Sequence, residues 1–553
     1  MAFDDIFPYL GEFGRYQRRI YFLLCLTAIV SALHKLGGVF LQAKVDHRCQ
    51  LPFENETATY QLPQGVINMS YPWDSEQQAW SSCRRLDANF STEYFSSNIP
   101  ANRSVRCDSW VYDHSIYKSS TIVEWDLVCD SAWLRATADS MFMLGDMIGS
   151  FGFGFLSDRY GRKPIFVIAL VLQILGGILV SVSPQYIFFM IFRLVVGMTA
   201  SGVFLIGYVI AMEMVGPSRR LFAGVACQFF FTFGYVLTAL LAYLIPDWRM
   251  LQLAFTLPSV FFLSYWWFVP ESTRWLLSNG RKEQAQQLIV KAAKVNKVKI
   301  PTDVLDGLLS EENEKPSSEK KPIPETKVTK PSILDIMRYP NLRKRCLNIF
   351  FNWFVNNSAY YGLSWNTSNL AGNQYLNFFI SGAVEVPAYT FLLFTLNKWG
   401  RKSILCSCML LGGVSLLAAL AVPGEMTWLL VTFAMIGKMA VTASYGTIYI
   451  FTAEQFPTVV RNVALGASST SARAGGMTAP FINLLAEFWQ PLPLLVFGAM
   501  ISVGGFLALL LPETLNRKLP DTLEEGEDFG KENEEDLEDV VKKTGSVIVI
   551  ASK

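Results

Sequence analysis

Gly154-Phe-Leu-Ser-Asp158-Arg159-Tyr-Gly161-Arg162-Lys163 has a near-copy later in the chain, Asn397-Lys-Trp-Gly400-Arg401-Lys402, at an offset of 239 residues. Each run follows one long apolar block and precedes another, so each reads as a basic hairpin turn between two hydrophobic segments. Two further pairs keep the same order and nearly the same offset. Tyr208, Glu213, Pro217 and Arg219 are matched by Tyr449, Glu454, Pro457 and Arg461, with the glutamates 241 apart. Pro270-Glu271 is matched by Pro512-Glu513, 242 apart. Three recurrences in one order describe a duplicated chain of two similar halves.

The blocks around these turns set the fold class. Leu221–Pro246, Met250–Pro270, Ser403–Gly424 and Phe488–Pro512 contain no Asp, Glu, Lys or Arg, and only 17% of the 553 residues are charged against 51% hydrophobic. About 20 apolar residues cross a hydrocarbon core. The pattern therefore predicts an all-α membrane protein with twelve transmembrane helices, at 20–42, 137–157, 164–182, 186–213, 221–244, 248–269, 346–365, 373–396, 402–421, 427–454, 461–486 and 490–511. The first apolar run, Ile20–Leu41, stands behind Arg15, Arg18 and Arg19 and is too long for the core of a cleavable signal. The divisions expected are an N-terminal segment 1–19, a six-helix half 20–269, a connecting segment 270–345 with short helices, a second six-helix half 346–511 and a tail 512–553. Residues 310–332, charged and containing Pro and Ser, are expected to join the halves as a flexible linker. The net charge of +1 points to no nucleic-acid partner.

Basic residues orient the chain. Arg159, Arg162 and Lys163 share one side with Lys398, Arg401 and Lys402, and the short loops opposite hold almost no Lys or Arg apart from Arg249. The positive-inside rule places that side, both termini and 270–345 in the cytoplasm, and the large loop 43–136 outside the plasma membrane. That loop carries glycosylation sequons at Asn55, Asn68, Asn89 and Asn102 and four cysteines, Cys49, Cys83, Cys107 and Cys129. An exterior, oxidising setting favours two disulfides among the four, with the pairing left open. The remaining cysteines, Cys25, Cys227, Cys346, Cys406 and Cys408, lie in or beside spans and read as packing residues.

Two sets of polar residues carry functional expectations. On the cytoplasmic side, Gly161 permits a tight turn. Asp158 is suited to accept hydrogen bonds from a helix N-terminus of the opposite half, and Arg162 to pair with Glu213. Glu454, Arg461 and Arg401 form the matching set. With Arg159, Arg219, Glu271, Arg274 and Gly400 they are expected to act as a gate that holds the cytoplasmic side shut. At mid-depth lie Asp146 and Glu385, each twelve residues before the equivalent position of the two turns, together with Lys438 and Arg473. Ionisable groups at membrane depth are costly and default to functional hypotheses. Asp146, Glu385 and Lys438 could equally pair to hold helices together. Arg473 stands among small residues, Gly466-Ala-Ser-Ser-Thr-Ser-Ala-Arg473-Ala-Gly-Gly, which leaves room for a carboxylate beside its planar fork. The seventh span, Asn352-Trp353-Phe-Val-Asn356-Asn357-Ser-Ala-Tyr360-Tyr361-Gly362, is too polar to face lipid on every side. Trp353, Asn357, Tyr360 and Tyr361, with Phe204, Gln228, Phe231, Tyr445 and Tyr449, are expected to complete an aromatic substrate box.

The chain resembles the organic cation/anion transporter family of the major facilitator superfamily. The resemblance runs through Ser157–Lys163, Val269-Pro-Glu-Ser-Thr-Arg-Trp-Leu276 and Ala453-Glu-Gln-Phe-Pro-Thr-Val-Val-Arg-Asn462. Gly11-Glu-Phe-Gly-Arg-Tyr-Gln17 and Tyr361-Gly-Leu-Ser-Trp-Asn-Thr-Ser-Asn369 are similar to the insect branch, which includes organic cation transporter-like proteins and carriers for carcinine and β-alanine. The resemblance implies two parallel six-helix halves with a substrate site between them. Cation-selective relatives carry aspartate where Arg473 stands and tryptophan where Phe204 stands. Anion-selective ones carry arginine at the former position and a run like Ala359-Tyr-Tyr-Gly-Leu363, but also a lysine where Tyr389 stands.

The expected function is a facilitative or secondary-active carrier of small organic anions or zwitterions, such as β-alanine or carcinine, working by rocker-switch alternating access as a monomer. A polyspecific organic cation carrier and a sugar porter are the alternatives. No enzymatic chemistry, metal or cofactor is implied, and no Gly-x-x-x-x-Gly-Lys-[Ser/Thr] motif for nucleotide binding occurs.

Overall fold

The computed structural model describes residues 3–54, 58–74, 79–97, 99–301, 304, 333–370, 372–423, 426–517 and 519–530. The sequon at Asn55 and the expected linker 310–332 lie outside them. Twelve helical spans are present among the described residues: α1 (Arg15–Leu41), α2 (Trp133–Tyr160), α3 (Arg162–Ser181), α4 (Tyr186–Glu213), α5 (Arg220–Leu244), α6 (Trp248–Phe268), α7 (Pro340–Trp365), α8 (Gln374–Trp399), α9 (Arg401–Ala421), α10 (Thr427–Gln455), α11 (Arg461–Leu484) and α12 (Leu492–Ala508). By length and hydropathy alone, α1, α3, α4, α5, α6, α8, α9 and α10 suffice to cross a membrane. The other four fall short for physical reasons. α12 is apolar but has only 17 residues. α2 carries Arg135, Asp139, Asp146 and Asp158, α7 carries five asparagines, and α11 is rich in Gly, Ser and Thr. Polar groups of this kind are tolerated in a span when they face protein rather than lipid.

The packing repeats with a shift of six helices. α1 packs on α4 and α5, α2 and α3 on α4, and α3 on α6; correspondingly α7 packs on α10 and α11, α8 and α9 on α10, and α9 on α12. Across the seam between the halves, α2 packs on α11 and α5 on α8. Three spans are interrupted; α1 is divided at Gly37 into Arg15–Leu36 and Gly38–Leu41. α6 runs as Trp248–Thr256, Ser259–Phe262 and Tyr265–Phe268, interrupted at Pro258, which has no N–H to continue the helix. α8 is divided into Gln374–Ala383 and Glu385–Trp399, with Pro387 just past the break, so Glu385 opens the second piece.

Within each half, glycines allow helices to touch backbone to backbone. A Cβ added at Gly475 on α11 would collide with the Phe354 carbonyl oxygen of α7, whereas one at Gly466, two turns away, would meet nothing within 4 Å. Gly475→Ala is expected to destabilise the protein by about 1–3 kcal/mol, the usual range for overpacking a tight interior. The thermal midpoint of the detergent-purified protein checks this, with Gly466→Ala as the unaffected control.

Among its described residues the loop between α1 and α2 forms a small folded unit with three two-stranded ladders, an addition to the all-helical reading. Strand β1 (His47–Cys49) pairs with β6 (Trp110–Tyr112), β2 (Trp73–Asp74) with β3 (Ala79–Trp80), and β4 (Arg84–Leu86) with β5 (Ser104–Arg106), all antiparallel. Cys49 is bonded to Cys107 and Cys83 to Cys129. Asn68, Asn89 and Asn102 are exposed, and Cys25, Cys227, Cys346, Cys406 and Cys408 are free and buried. Below, the face of the molecule bearing this unit is the loop face, and the one bearing Gly161 and Gly400 is the turn face.

Candidate functional site

Both turns are built from the same parts. Gly161 (φ 113°) and Gly400 (φ 91°) take backbone conformations that side chains disfavour, and at each a Cβ would crowd a glutamate, Glu271 or Glu513. Each glutamate occupies the N-terminus of the following helix. Glu271 accepts from the backbone N–H of Arg162 (3.1 Å) and Lys163 (3.2 Å), and Glu513 from that of Arg401 (3.0 Å) and Lys402 (3.1 Å). A carboxylate there satisfies orphan donors and complements the helix dipole. Beside it, Arg162 pairs with Glu213 (3.0 Å) while Ser272 Oγ donates to Glu213 (2.5 Å). In the second half Arg401 pairs with Glu454 (3.1 Å) while Thr514 Oγ1 donates to Glu454 (2.5 Å).

These bonds all stay within one half: the expected Arg162–Glu213 pair is formed, and the cross-half contacts expected with the turn side shut are not among those the described residues make in this open arrangement. Asp158, expected to hold a helix of the opposite half, has a side chain 70% exposed and pairs with Arg162 one turn on (3.4 Å). Arg159 lies over the neighbouring Tyr160 ring, Arg219 and Arg274 are exposed, and Arg461 Nε has no hydrogen-bond partner among the described residues. The reason is separation: on the turn face a cavity keeps the halves apart. On the loop face they meet, through Lys44–Glu487 (3.0 Å), Tyr117 Oη donating to Gln374 Oε1 (2.8 Å), and the Phe40 and Phe378 rings 4.8 Å apart.

The cavity, of about 480 Å³, lies along the seam and reaches down to Arg220, Leu396 and Ile450 near the turn face. Asp146 on α2 is its electrostatic centre. One carboxylate oxygen is 2.5 Å from Lys35 Nζ on α1, and the other accepts from Arg473 Nε at 3.2 Å, across the seam. Arg473 also donates to the Ser469 carbonyl oxygen (3.0 Å) one turn back. Six tyrosines, 208, 360, 361, 389, 445 and 449, and two phenylalanines, Phe204 and Phe231, supply most of the remaining wall. Their rings brace one another: Tyr360 stacks on Tyr445 (5.4 Å between centroids), and Phe204 meets Phe231 edge-on (6.1 Å).

Of the residues expected at the site from sequence, Arg473, Asp146, Tyr360, Tyr361, Asn357, Phe204, Gln228, Phe231, Tyr445 and Tyr449 line this cavity. Glu385, Lys438 and Trp353 do not. Glu385 and Lys438 are almost wholly buried behind Tyr360 and bound to each other at 3.3 Å. Glu385 also accepts from Tyr360 Oη (2.6 Å) and, across the seam, from Thr232 Oγ1 (2.9 Å). Lys438 donates to Ser364 Oγ (2.6 Å) and stands 3.4 Å above the Tyr360 ring. Every strong partner is satisfied within the protein, so nothing is left to turn toward the cavity. Trp353 is buried, donating to Thr452 Oγ1 (2.8 Å), and props the Tyr449 ring edge-on at 4.3 Å. The sequence reading missed Lys35, a lone lysine inside an apolar run, which the rule about ionisable groups at membrane depth would have flagged. It also missed Arg193, buried on α4 at 3.4 Å from Asp139 and over the Phe142 ring.

Comparison with known proteins bears on what this arrangement is. Residues 90–524 match the family model described as sugar (and other) transporter. The Drosophila melanogaster organic cation transporter protein is 56% identical over 533 residues, spanning 96% of this chain and 95% of that one. The fly organic cation transporter-like protein is 52% identical over 542 residues, spanning 97% and 94%. Human organic cation/carnitine transporter 2 is 34% identical over 541 residues, spanning 95% and 93%. Among solved structures, the inward-open xylose transporter XylE of E. coli superposes with a TM-score of 0.60 at 15% identity, covering 93% of this chain and 100% of that one. XylE bound to 6-bromo-6-deoxy-D-glucose gives 0.55 at 18% identity, with the same coverage. At such identity the likeness establishes the all-α major facilitator fold alone.

Proposed function

We propose, from the premise that the chain belongs to the sugar (and other) transporter family and within it to the organic cation transporters of solute carrier family 22, that it carries small organic cations by alternating access. The observation that carries this reading is the aromatic cavity on the seam. Eight rings around the Lys35–Asp146–Arg473 cluster give a cation several π-faces, each worth about 0.5–1 kcal/mol when exposed and about 2 when desolvated. The relatives, named as organic cation transporters, support the same choice. They favour cations over the anion or zwitterion reading that Arg473 and the run Ala359–Leu363 suggested from sequence, and Arg473 in this structure is engaged by Asp146.

The cavity facing the turn side and the closed loop side fit one end state of a rocking cycle. With the basic turns at the cytoplasm and the disulfide-bonded loop outside a plasma membrane, that state is the inward-facing one. A second reading, transport of zwitterions, rests on the charge count: Lys35 and Arg473 oppose the single Asp146 and leave one positive charge over. A substrate with its own carboxylate beside its ammonium group would neutralise it.

Uptake into proteoliposomes of tetraethylammonium, carnitine, carcinine, β-alanine, p-aminohippurate and xylose tests both readings. Cation uptake is expected, with none of p-aminohippurate or xylose; the reverse pattern overturns the proposal. Arg473→Ala removes a charge-assisted bond worth about 1.5–3 kcal/mol and is expected to weaken carboxylate-bearing substrates about tenfold or more, while sparing tetraethylammonium.

A further inference from the structure

The connecting segment beyond α6 presents a basic surface that the transport reading does not use. Its helix Lys282–Asn296 buries one face: Ala285 and Ile289 pack with Ile6 and Trp275, and Ala292 and Ala293 with Leu10. The opposite face is exposed and mixed in character. Val290 and Val295 stand free between Lys291, Lys294, Lys297 and Lys299. Gln286, Gln287, Val290, Lys291 and Lys294 line a groove of about 390 Å³. From Lys282 to Lys299 five lysines face a single acid, Glu283.

Neighbouring elements fix this surface at the level of the bilayer edge. Lys163, at the start of α3, lies 5.0 Å over the Trp266 ring, and Lys163 and Lys291 are within each other's electrostatic reach. Trp266, Trp267 and Phe268 are exposed at the end of α6, with Trp267 at 77%. Tryptophans of this kind sit at headgroup depth. The far end of the helix is tied to α1, where Asn296 accepts from the Tyr16 backbone N–H (2.9 Å) and donates to Gln17 Oε1 (2.8 Å). That places exposed Arg15, Arg18 and Arg19 on the same rim. The nearby acids Asp4 and Glu271 are already engaged, by Arg220 and by backbone N–H groups.

We infer that the helix Lys282–Asn296, with Lys163 and the first turns of α1, is a docking site for anionic phospholipids whose headgroups carry several phosphates. Clustered lysines and arginines beside a span attract such headgroups, and the exposed valines between them give the helix the amphipathic face of an interfacial element. Because its buried face is already packed, the helix needs no folding step before it binds. A peptide partner would need no tryptophans at headgroup depth, which favours the lipid.

Full-length protein in nanodiscs of phosphatidylcholine alone, or with a phosphoinositide added, tests this by native mass spectrometry of retained lipid. The phosphoinositide is expected to be retained over phosphatidylcholine. Removing two of the lysines in Lys291→Gln/Lys294→Gln is expected to weaken retention about tenfold or more, with an unchanged thermal midpoint. Lys344→Gln, an exposed lysine on the turn side of the second half, is expected to have no effect. Equal retention by the wild type and the double variant overturns the inference. Binding of soluble inositol trisphosphate as tight as that of the lipid would also overturn it, making this a site for free phosphate compounds.

Discussion

Asp146→Asn is expected to abolish uptake and lower the thermal midpoint, the largest single effect in the cavity. The carboxylate is shared by Lys35 at 2.5 Å and Arg473 at 3.2 Å, and all three side chains are mostly shielded from water. An amide keeps the shape and removes the charge, so two cations then face each other without a counter-ion. Removing one partner of a buried pair costs about 3–5 kcal/mol, because the charge left behind keeps its desolvation penalty. The damage also reaches the seam, since Lys35 and Asp146 belong to one half and Arg473 to the other. A cationic substrate would meet a doubled positive field, and its affinity is expected to fall by about two orders of magnitude. Adding Lys35→Gln returns the net charge of the cavity to its original value and is expected to recover most of the thermal loss. Uptake and melting measured on the same preparations check this. If Asp146→Asn melted and transported normally, the account of the cavity electrostatics would be wrong.

Glu385→Gln is expected to produce an effect of similar size by a different route. Lys438 is buried, with Glu385 as its counter-ion at 3.3 Å, and its other contacts are neutral. Stranding it costs about 3–5 kcal/mol on the same grounds. The rescue is the informative part. Replacing a buried pair with neutral groups of similar volume is commonly tolerated, so Glu385→Gln/Lys438→Met is expected to regain the wild-type midpoint. Uptake is expected to stay low, because Glu385 also accepts from Tyr360 and, across the seam, from Thr232. Folding and transport recovering together would show that the bonds of Glu385 to Tyr360 and Thr232 do not matter for uptake and would contradict this expectation.

Much of the fold could be read from the chain because the signals are repetitive. Two copies of a Gly-Arg-Lys turn and long uncharged blocks define helices by composition alone. The four helices that simple hydropathy understates, α2, α7, α11 and α12, show where composition misleads. Three of them line or abut the central seam, so their polar residues face protein, and counting by hydropathy penalises what the interior requires. Position along the helix was legible as well: Asp146 and Glu385 each stand twelve residues before the equivalent position of their turns. Rotation about the helix axis was not. Glu385 and Asp146 occupy equivalent positions in the two halves, yet one is sealed behind Tyr360 and bound to Lys438 while the other faces the cavity. The cross-half contacts belong to an arrangement with the turn side shut, and here the cavity holds that side open. A sequence lists the groups able to bond in every state of the molecule, whereas a structure records one.

The twin carboxylates Glu271 and Glu513 have a consequence for how free energy is distributed in the molecule. Each lies just past the sixth span of its own bundle and fastens back to the turn between that bundle's second and third spans. Each bundle is thereby stapled shut from its own residues, independently of its twin. If the halves rock as proposed above, each moves as a braced unit and the contacts at the boundary between them set the balance of states. Substitutions deep inside a bundle are expected to lower the thermal midpoint, and those on the boundary to shift the balance between the two facing states proposed above.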